Sequence, residues 1–259
     1  MTIWEAIILG IIQGLTEFLP VSSSGHLVFF QNVFQISEGA LSFDIVVHFA
    51  TLLAVVMVLF QEIKKLFKKP FSKLTLNIII SAIPAAVIAF VFEGFLKSSF
   101  GGSYLGWGFM ISAVFLLVGD MINPKHNQKL LSNNELDSIS TKQALIMGVF
   151  QGIAVFPGIS RSGSTISAGL IIGQNRQTAA KFSFLMSIPI ILGAVIFDII
   201  DIGAVSSDIG LGALTAGFLS ALICGFLSVK IMLKIVSRHG FWGFSVYLVL
   251  MSLLSFFLI

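Results

Sequence analysis

In the stretch "QGLTEFLPVSSSGHL", Gln13 to Leu27, an amide, a carboxylate, three hydroxyls and an imidazole are strung closely together. Gln13 and Glu17 are four residues apart, so a helix sets them on one face. Pro20 then ends that helix, because it has no N–H and its ring clashes with the preceding turn. Ser22, Ser23 and Ser24 stand where a second helix would begin. Hydroxyls and free N–H groups at a helix N-terminus make a ready anion site, and His26 lies just beyond. A second stretch, "PGISRSGST" from Pro157, offers Ser160, Arg161, Ser162, Gly163, Ser164 and Thr165, again hydroxyls and glycine around a cation. Two such turns facing each other would surround a phosphate with donors. Arg161 could take two phosphate oxygens in its planar fork; Glu17 and His26 would supply proton transfer or metal ligation. Blander roles exist for the same residues. Ser22 and Ser162 could simply cap helices, Glu17 and Arg161 could form a structural ion pair, and His48 reads as a hydrogen-bonded packing residue rather than a ligand. The chain carries no Walker loop, HExxH or CxxC motif, so nucleotide hydrolysis and familiar zinc chemistry have no support.

The surroundings of these polar turns are apolar. Of 259 residues, 56% are hydrophobic and 10% charged, and the mean hydropathy is +1.02. Runs near the ~20 residues that cross a hydrocarbon core recur along the chain. The expected spans are Leu41–Phe60, Leu74–Phe95, Tyr104–Ile122, Ser183–Ile199, Leu211–Leu233 and Phe241–Ile259. They must be helices, since backbone groups in lipid have to be satisfied within one segment. The expectation is an all-α polytopic membrane protein. Met1–Leu19 has neither a basic n-region nor a small-residue cleavage site and is not read as a signal peptide. The single cysteine, Cys224, lies in an apolar span, which excludes disulfides and thiolate metal clusters. A pI near 9.1 could suggest nucleic acid. The basic residues are dispersed over short loops, however, so membrane topology explains them and no nucleic-acid partner is expected.

Laying Gln13–His26 over Gln151–Ser164, an offset of 138, gives identities at Gln13/Gln151, Gly14/Gly152, Phe18/Phe156, Ser22/Ser160, Ser24/Ser162 and Gly25/Gly163. Chance would give about one, so the chain reads as a duplication. The first repeat is 1–122, with a broken re-entrant segment over about 3–36 and three spans. A linker follows at 123–141. The second repeat is 142–259, with a re-entrant segment over about 143–175 and three spans. An odd number of crossings per half inverts the second half relative to the first, and broken helices near the midplane are tolerated where they line a cavity. The halves differ where chemistry would need it: Glu17 faces Val155 in the alignment, Ser23 faces Arg161, and His26 faces Ser164. Charge fits the inverted arrangement. With "QEIKKLFKKPFSK" in the cytoplasm, 13 of 15 Lys and Arg fall on that side. Lys97 alone falls outside and Arg161 lies within the second broken segment, while Glu5, Glu38, Asp44 and Glu93 mark the external interface.

At these two turns the sequence resembles the undecaprenyl-pyrophosphate phosphatase family, also known as the bacitracin-resistance proteins. "QGLTEFLPVSSSGH" is similar to its (E/Q)xxxE and PxSSxGH signature, and "PGISRSGST" to its PGxSRSGxT signature. The resemblance implies hydrolysis of undecaprenyl pyrophosphate to the monophosphate carrier and inorganic phosphate, in recycling the lipid for cell-wall synthesis. It also implies a divalent cation, Mg2+ or Ca2+, and a multi-pass position in the bacterial plasma membrane with the active site opening to the external side. Carried over by position, Glu17 is the essential acid and the protein's metal ligand, and His26 the imidazole near the scissile phosphate. Ser23 is the nucleophile or a phosphate ligand, and Arg161 the phosphate clamp. Gln13, which is Glu in some members, joins Ser22, Ser24, Ser160, Ser162, Gly163 and Thr165 around the phosphates. The partners are then the polyprenyl pyrophosphate and the bilayer, with a homodimer also expected. The competing expectation is a transporter or flippase of polyprenyl phosphate lipids, which would use Arg161 without needing Glu17 or His26 as chemistry.

Overall fold

The computed structural model describes residues 1–36, 39–123, 136–202 and 209–259, apart from the side chains of 201, 202, 237 and 238. These residues are helical throughout, with no strand among them. Two short helices open the chain, α1 (Ile3–Thr16) and α2 (Ser23–Val33), followed by α3 (Ala40–Val58). Next come α4 (Phe60–Lys68), α5 (Lys73–Val91), α6 (Glu93–Ser99) and α7 (Leu105–Ile122). The second half runs α8 (Thr141–Ile153), α9 (Arg161–Ile171), α10 (Arg176–Ile202), α11 (Leu211–Arg238) and α12 (Trp242–Leu258). Helices α3, α5, α7, α10 and α11 are long and apolar enough to cross a membrane. The sixth expected span is α12, whose 17 residues lie at the short end of the ~17–25 needed. Most of the linker, and the expected external marker Glu38, lie outside the described residues.

The 138-residue offset recurs in three helix boundaries. Ile3, Ser23 and Lys73 begin α1, α2 and α5, and Thr141, Arg161 and Leu211, each 138 positions on, begin α8, α9 and α11. The packing follows the same rule crosswise, α1 of the first half lying on α11 and α8 of the second half on α5. In lipid there is no hydrophobic gain between helices, so close approach depends on small residues. A Cβ on Gly10 or Gly14 would collide with Gly217, Ser220, Ala221 or Gly225 of α11, and Ser228 Oγ donates to Leu15 O at 2.8 Å. At the equivalent positions, a Cβ on Gly148 or Gly152 would meet Ser81, Pro84 or Ile88 of α5. These two seams fix the rotation of α1 and α8 about their axes and so aim Gln13, Glu17 and Gln151 inward.

Helix α4 differs from the rest. It carries Lys64, Lys65 and Lys68 with the exposed Phe60 and Phe67, the composition of a helix lying along a membrane surface. Arg176, counted among the bases expected on the cytoplasmic side, is almost fully buried at the start of α10. Its Nη2 donates to Asp120 Oδ1 at 2.6 Å and its guanidinium lies 5.1 Å from the Phe241 ring. Asp120 also accepts from the Phe241 N–H, so one carboxylate and one guanidinium tie α7, α10 and the entry to α12 together. A buried Arg is retained where it is paired, as here.

Candidate functional site

Both broken segments fold as hairpins, α1–turn–α2 and α8–turn–α9, and their tips meet. Ser162 Oγ donates to Leu19 O at 2.9 Å, and Gly163 packs beside Pro20. A hydroxyl from α7 braces the second tip: Ser112 Oγ donates to Gly158 O at 3.1 Å and accepts from Ser160 N at 2.7 Å. Of the two serines weighed as caps, only Ser22 caps; in the second hairpin the cap is Ser160. Ser22 Oγ accepts from Gly25 N at 3.2 Å and Ser160 Oγ from Gly163 N at 3.0 Å. Ser162 does not cap; its hydroxyl crosses to the other hairpin.

At the meeting point Glu17, with a side chain 3% exposed, accepts from three directions. Gln13 Nε2 donates to Oε2 at 2.9 Å, as their spacing on one helix face requires. Ser23 Oγ donates to the same oxygen at 2.5 Å. Arg161 Nη2, from the other repeat, donates to Oε1. Burying a carboxylate and a guanidinium costs several kcal/mol per ion, and such pairs persist where the remaining lone pairs are also satisfied. Glu17 meets that condition. The ion pair foreseen as the blander role is therefore present, and it places the acid, the hydroxyl and the cation at one point.

His26, almost fully buried on α2, stands beside them. Its Nδ1 lies 2.7 Å from Ser22 O, and its ring meets Phe109 edge-on at 5.3 Å between centroids. Its Nε2 lies 2.6 Å from the hydroxyl of Tyr247 on α12, a contact the sequence reading missed. Tyr247 is one of only two tyrosines in the chain, and a phenol inside the apolar run "FSVYLVLM" was the available signal. His48, read as a packing residue, does bond its own helix through Nδ1 to Asp44 O at 2.8 Å. Its Nε2 nevertheless faces Glu17 Oε2 at 3.9 Å, so it belongs to the edge of this cluster. Asp44, expected at the external interface, accepts from Gln31 Nε2 at 2.7 Å.

The remaining expected residues lie on the first turns of α2 and α9. Ser24 is half-buried, whereas Ser160, Ser162, Gly163 and Thr165 are buried. Thr165 Oγ1 bonds Arg161 O at 2.8 Å and Ser183 Oγ at 2.6 Å. Among the described residues no group of three His, Cys, Asp or Glu forms a metal cage. The buried Gln13 Oε1, one turn of helix from Glu17, has no hydrogen-bond partner among the described residues. Two hard oxygen donors suit a cation whose other ligands are substrate oxygens and water, the usual way magnesium binds beside phosphates.

A helical, apolar domain thus brings a carboxylate, a hydroxyl and a guanidinium together where two helix N-termini meet, with an imidazole one turn along the first of those helices. The chain matches the family described as bacitracin resistance protein BacA over residues 6–254, and it belongs to that family. It is 44% identical to undecaprenyl-diphosphatase 3 of Bacillus cereus, covering 94% of this chain and 92% of that protein. It is 43% identical to the undecaprenyl-diphosphatase of Carboxydothermus hydrogenoformans, over 95% of this chain and 94% of that one. The undecaprenyl-diphosphatase of Methanobrevibacter smithii is 36% identical over 99% of this chain and 97% of its own length.

Proposed function

We propose that this protein hydrolyses undecaprenyl pyrophosphate to undecaprenyl phosphate and inorganic phosphate, within a membrane whose lipid phase keeps the polyprenyl tail. The observation that carries this reading is the Ser23–Glu17–Arg161 constellation. A hydroxyl already donating to a carboxylate is an activated nucleophile, and a guanidinium on the same carboxylate is placed to receive phosphoryl oxygens. As Ser23 Oγ bonds to the terminal phosphorus, its proton passes to Glu17 and the bond to the bridging oxygen breaks. Undecaprenyl phosphate leaves, and water then releases phosphate from the serine. Arg161 turns from Glu17 to the transferring oxygens, and the N–H groups at the starts of α2 and α9 hold the rest. His26, with both nitrogens engaged at rest, is the acid/base group rather than the first nucleophile. Glu17 and Gln13 Oε1 would hold the magnesium or calcium ion, which when bound neutralises charge on the phosphate oxygens.

In this reading the halves are inverted and the site opens externally. The crosswise pairing of α1 with α11 and α8 with α5, and the distribution of basic residues, support it. In a Cys224→Ala background, Lys69→Cys then labels from the cytoplasm and Ser98→Cys from outside. A homodimer remains part of the proposal, read out by crosslinking in native membranes. The deciding experiment is phosphate release by the purified protein from undecaprenyl pyrophosphate, with and without EDTA. Release that EDTA suppresses and Mg2+ or Ca2+ restores is expected. Lipid movement across liposomes without release would establish the flippase instead.

A further inference from the structure

Hydrogen-bond chemistry fixes the tautomer of a neutral His26 ring. The Ser22 carbonyl can only accept, so Nδ1, 2.7 Å away, carries a proton. The neutral ring then has its lone pair on Nε2, and the phenol 2.6 Å away must be the donor. The two rings lie nearly parallel, at 7°, with Phe109 closing the other side of the imidazole. The serines of α12 behave differently. Ser245 and Ser255 donate to carbonyls of their own helix, and Ser252 to Gly106 O. Tyr247 instead ends on a side chain, the imidazole of His26. Tyr247 is 40% exposed while His26 is 2% exposed, so this hydrogen bond joins a partly exposed side chain to a buried ring.

We propose that Tyr247 relays the proton between His26 and the phosphoryl-transfer site. In the water step, the attacking water gives a proton to the phenolic oxygen as the phenolic proton passes to Nε2. The new O–P bond forms, the Ser23 Oγ–P bond breaks, and Ser23 recovers its proton from Glu17. The imidazolium, held by the Ser22 carbonyl, returns its proton through the same phenol to the departing phosphate. One half of the duplicated chain thus supplies the imidazole and the other its proton path. This rests on the hydrolase reading, and the first of its tests does not depend on activity.

Tyr247→Phe removes the hydroxyl and keeps the ring, so the helix packing survives. In 15N-histidine spectra of the substrate-free protein, the His26 Nε2 resonance of Tyr247→Phe should move toward that of an unbonded ring nitrogen, with Nδ1 unmoved. An unmoved Nε2 overturns the hydrogen bond and the proposal with it. With farnesyl pyrophosphate as substrate, kcat should fall about 10- to 100-fold while KM changes less than about 2-fold, as for loss of a proton-transfer group. A raised KM at unchanged kcat would make Tyr247 a substrate contact and overturn the relay. So would a wild-type kcat. If the unsubstituted protein releases no phosphate, the hydrolase reading fails, and the spectra still decide whether Tyr247 and His26 are joined.

Discussion

The two hairpin tips carry the same job on different backbones. The first runs Leu19-Pro20-Val21-Ser22 and the second Pro157-Gly158-Ile159-Ser160, and each ends in the serine that caps the next helix. The second tip turns at Gly158, which takes φ +85°, and Ser160 relaxes to φ −71°. The equivalent of Gly158 is Pro20, whose ring forbids positive φ. The left-handed conformation moves instead to Ser22, at φ +69°. A non-glycine residue held there costs on the order of 1–3 kcal/mol and persists where its surroundings over-determine it. Ser22 is such a place, because the strained residue points its carbonyl at His26. The comparison teaches a division of labour: the comfortable tip carries the Arg161 cation, and the strained tip carries the Ser23 hydroxyl and the His26 imidazole.

That division is broken most severely at Glu17. Glu17→Gln keeps the size but removes the charge to which Ser23 donates and with which Arg161 pairs. Phosphate release should fall at least ~100-fold, as for loss of a general base. Rapid quenching sharpens the result. An acid-stable phosphoenzyme marks Ser23, an acid-labile one marks His26, and neither, with Ser23→Ala still active, marks direct attack by water. At the second tip, Arg161→Lys keeps the charge and loses the fork. It should lower kcat about 10-fold and raise KM less, measured in the same assay.

The backbone difference is tested by stability rather than turnover. Gly158→Ala forces a Cβ into a left-handed residue and against Leu105 O, 2.6 Å away, so unfolding in detergent should come easier by about 2 kcal/mol or more. Ser22→Gly relieves the strain while losing the cap, and glycine costs only a few tenths at that position. Its thermal midpoint should be unchanged or raised. A loss as large as that of Gly158→Ala would show that the first tip is not the strained one.

Much of this architecture was legible in the sequence because apolar length and a 138-residue echo leave few alternatives. Helices cover all six expected spans, although α10 begins seven residues before Ser183 and α11 runs five past Leu233. Gln13 and Glu17 meet because four residues make about one helical turn. The meeting of Glu17 with Arg161 was foreseen only as an option, since 144 residues separate them and only the docking of the tips joins them. His48 was underrated for a related reason. Its Nδ1 satisfies the local pattern, and only tertiary packing reveals what Nε2 faces. Tyr247 and the Arg176–Asp120 pair escaped notice because neither carries a motif; each acts through a partner far off in sequence.

The smallest effect separates Gln13 from its repeat counterpart, Gln151. Both are buried at the same level of equivalent helices. Gln13 gives its N–H to Glu17, whereas Gln151 faces a repeat in which that acid has become Val155, and neither end of its amide bonds to another described residue. A buried amide without partners contributes no net stability, and an apolar group of the same shape can replace it at little cost or with a gain. Gln151→Met should therefore leave phosphate release within about 2-fold and stability unchanged or higher by up to about 1 kcal/mol. Gln13→Met removes a donor from the Glu17 carboxylate and should cost about 10-fold in release, well short of Glu17→Gln. Equal effects at the two glutamines, in turnover or in stability, would mean that the repeats divide the chemistry less sharply than their tips do.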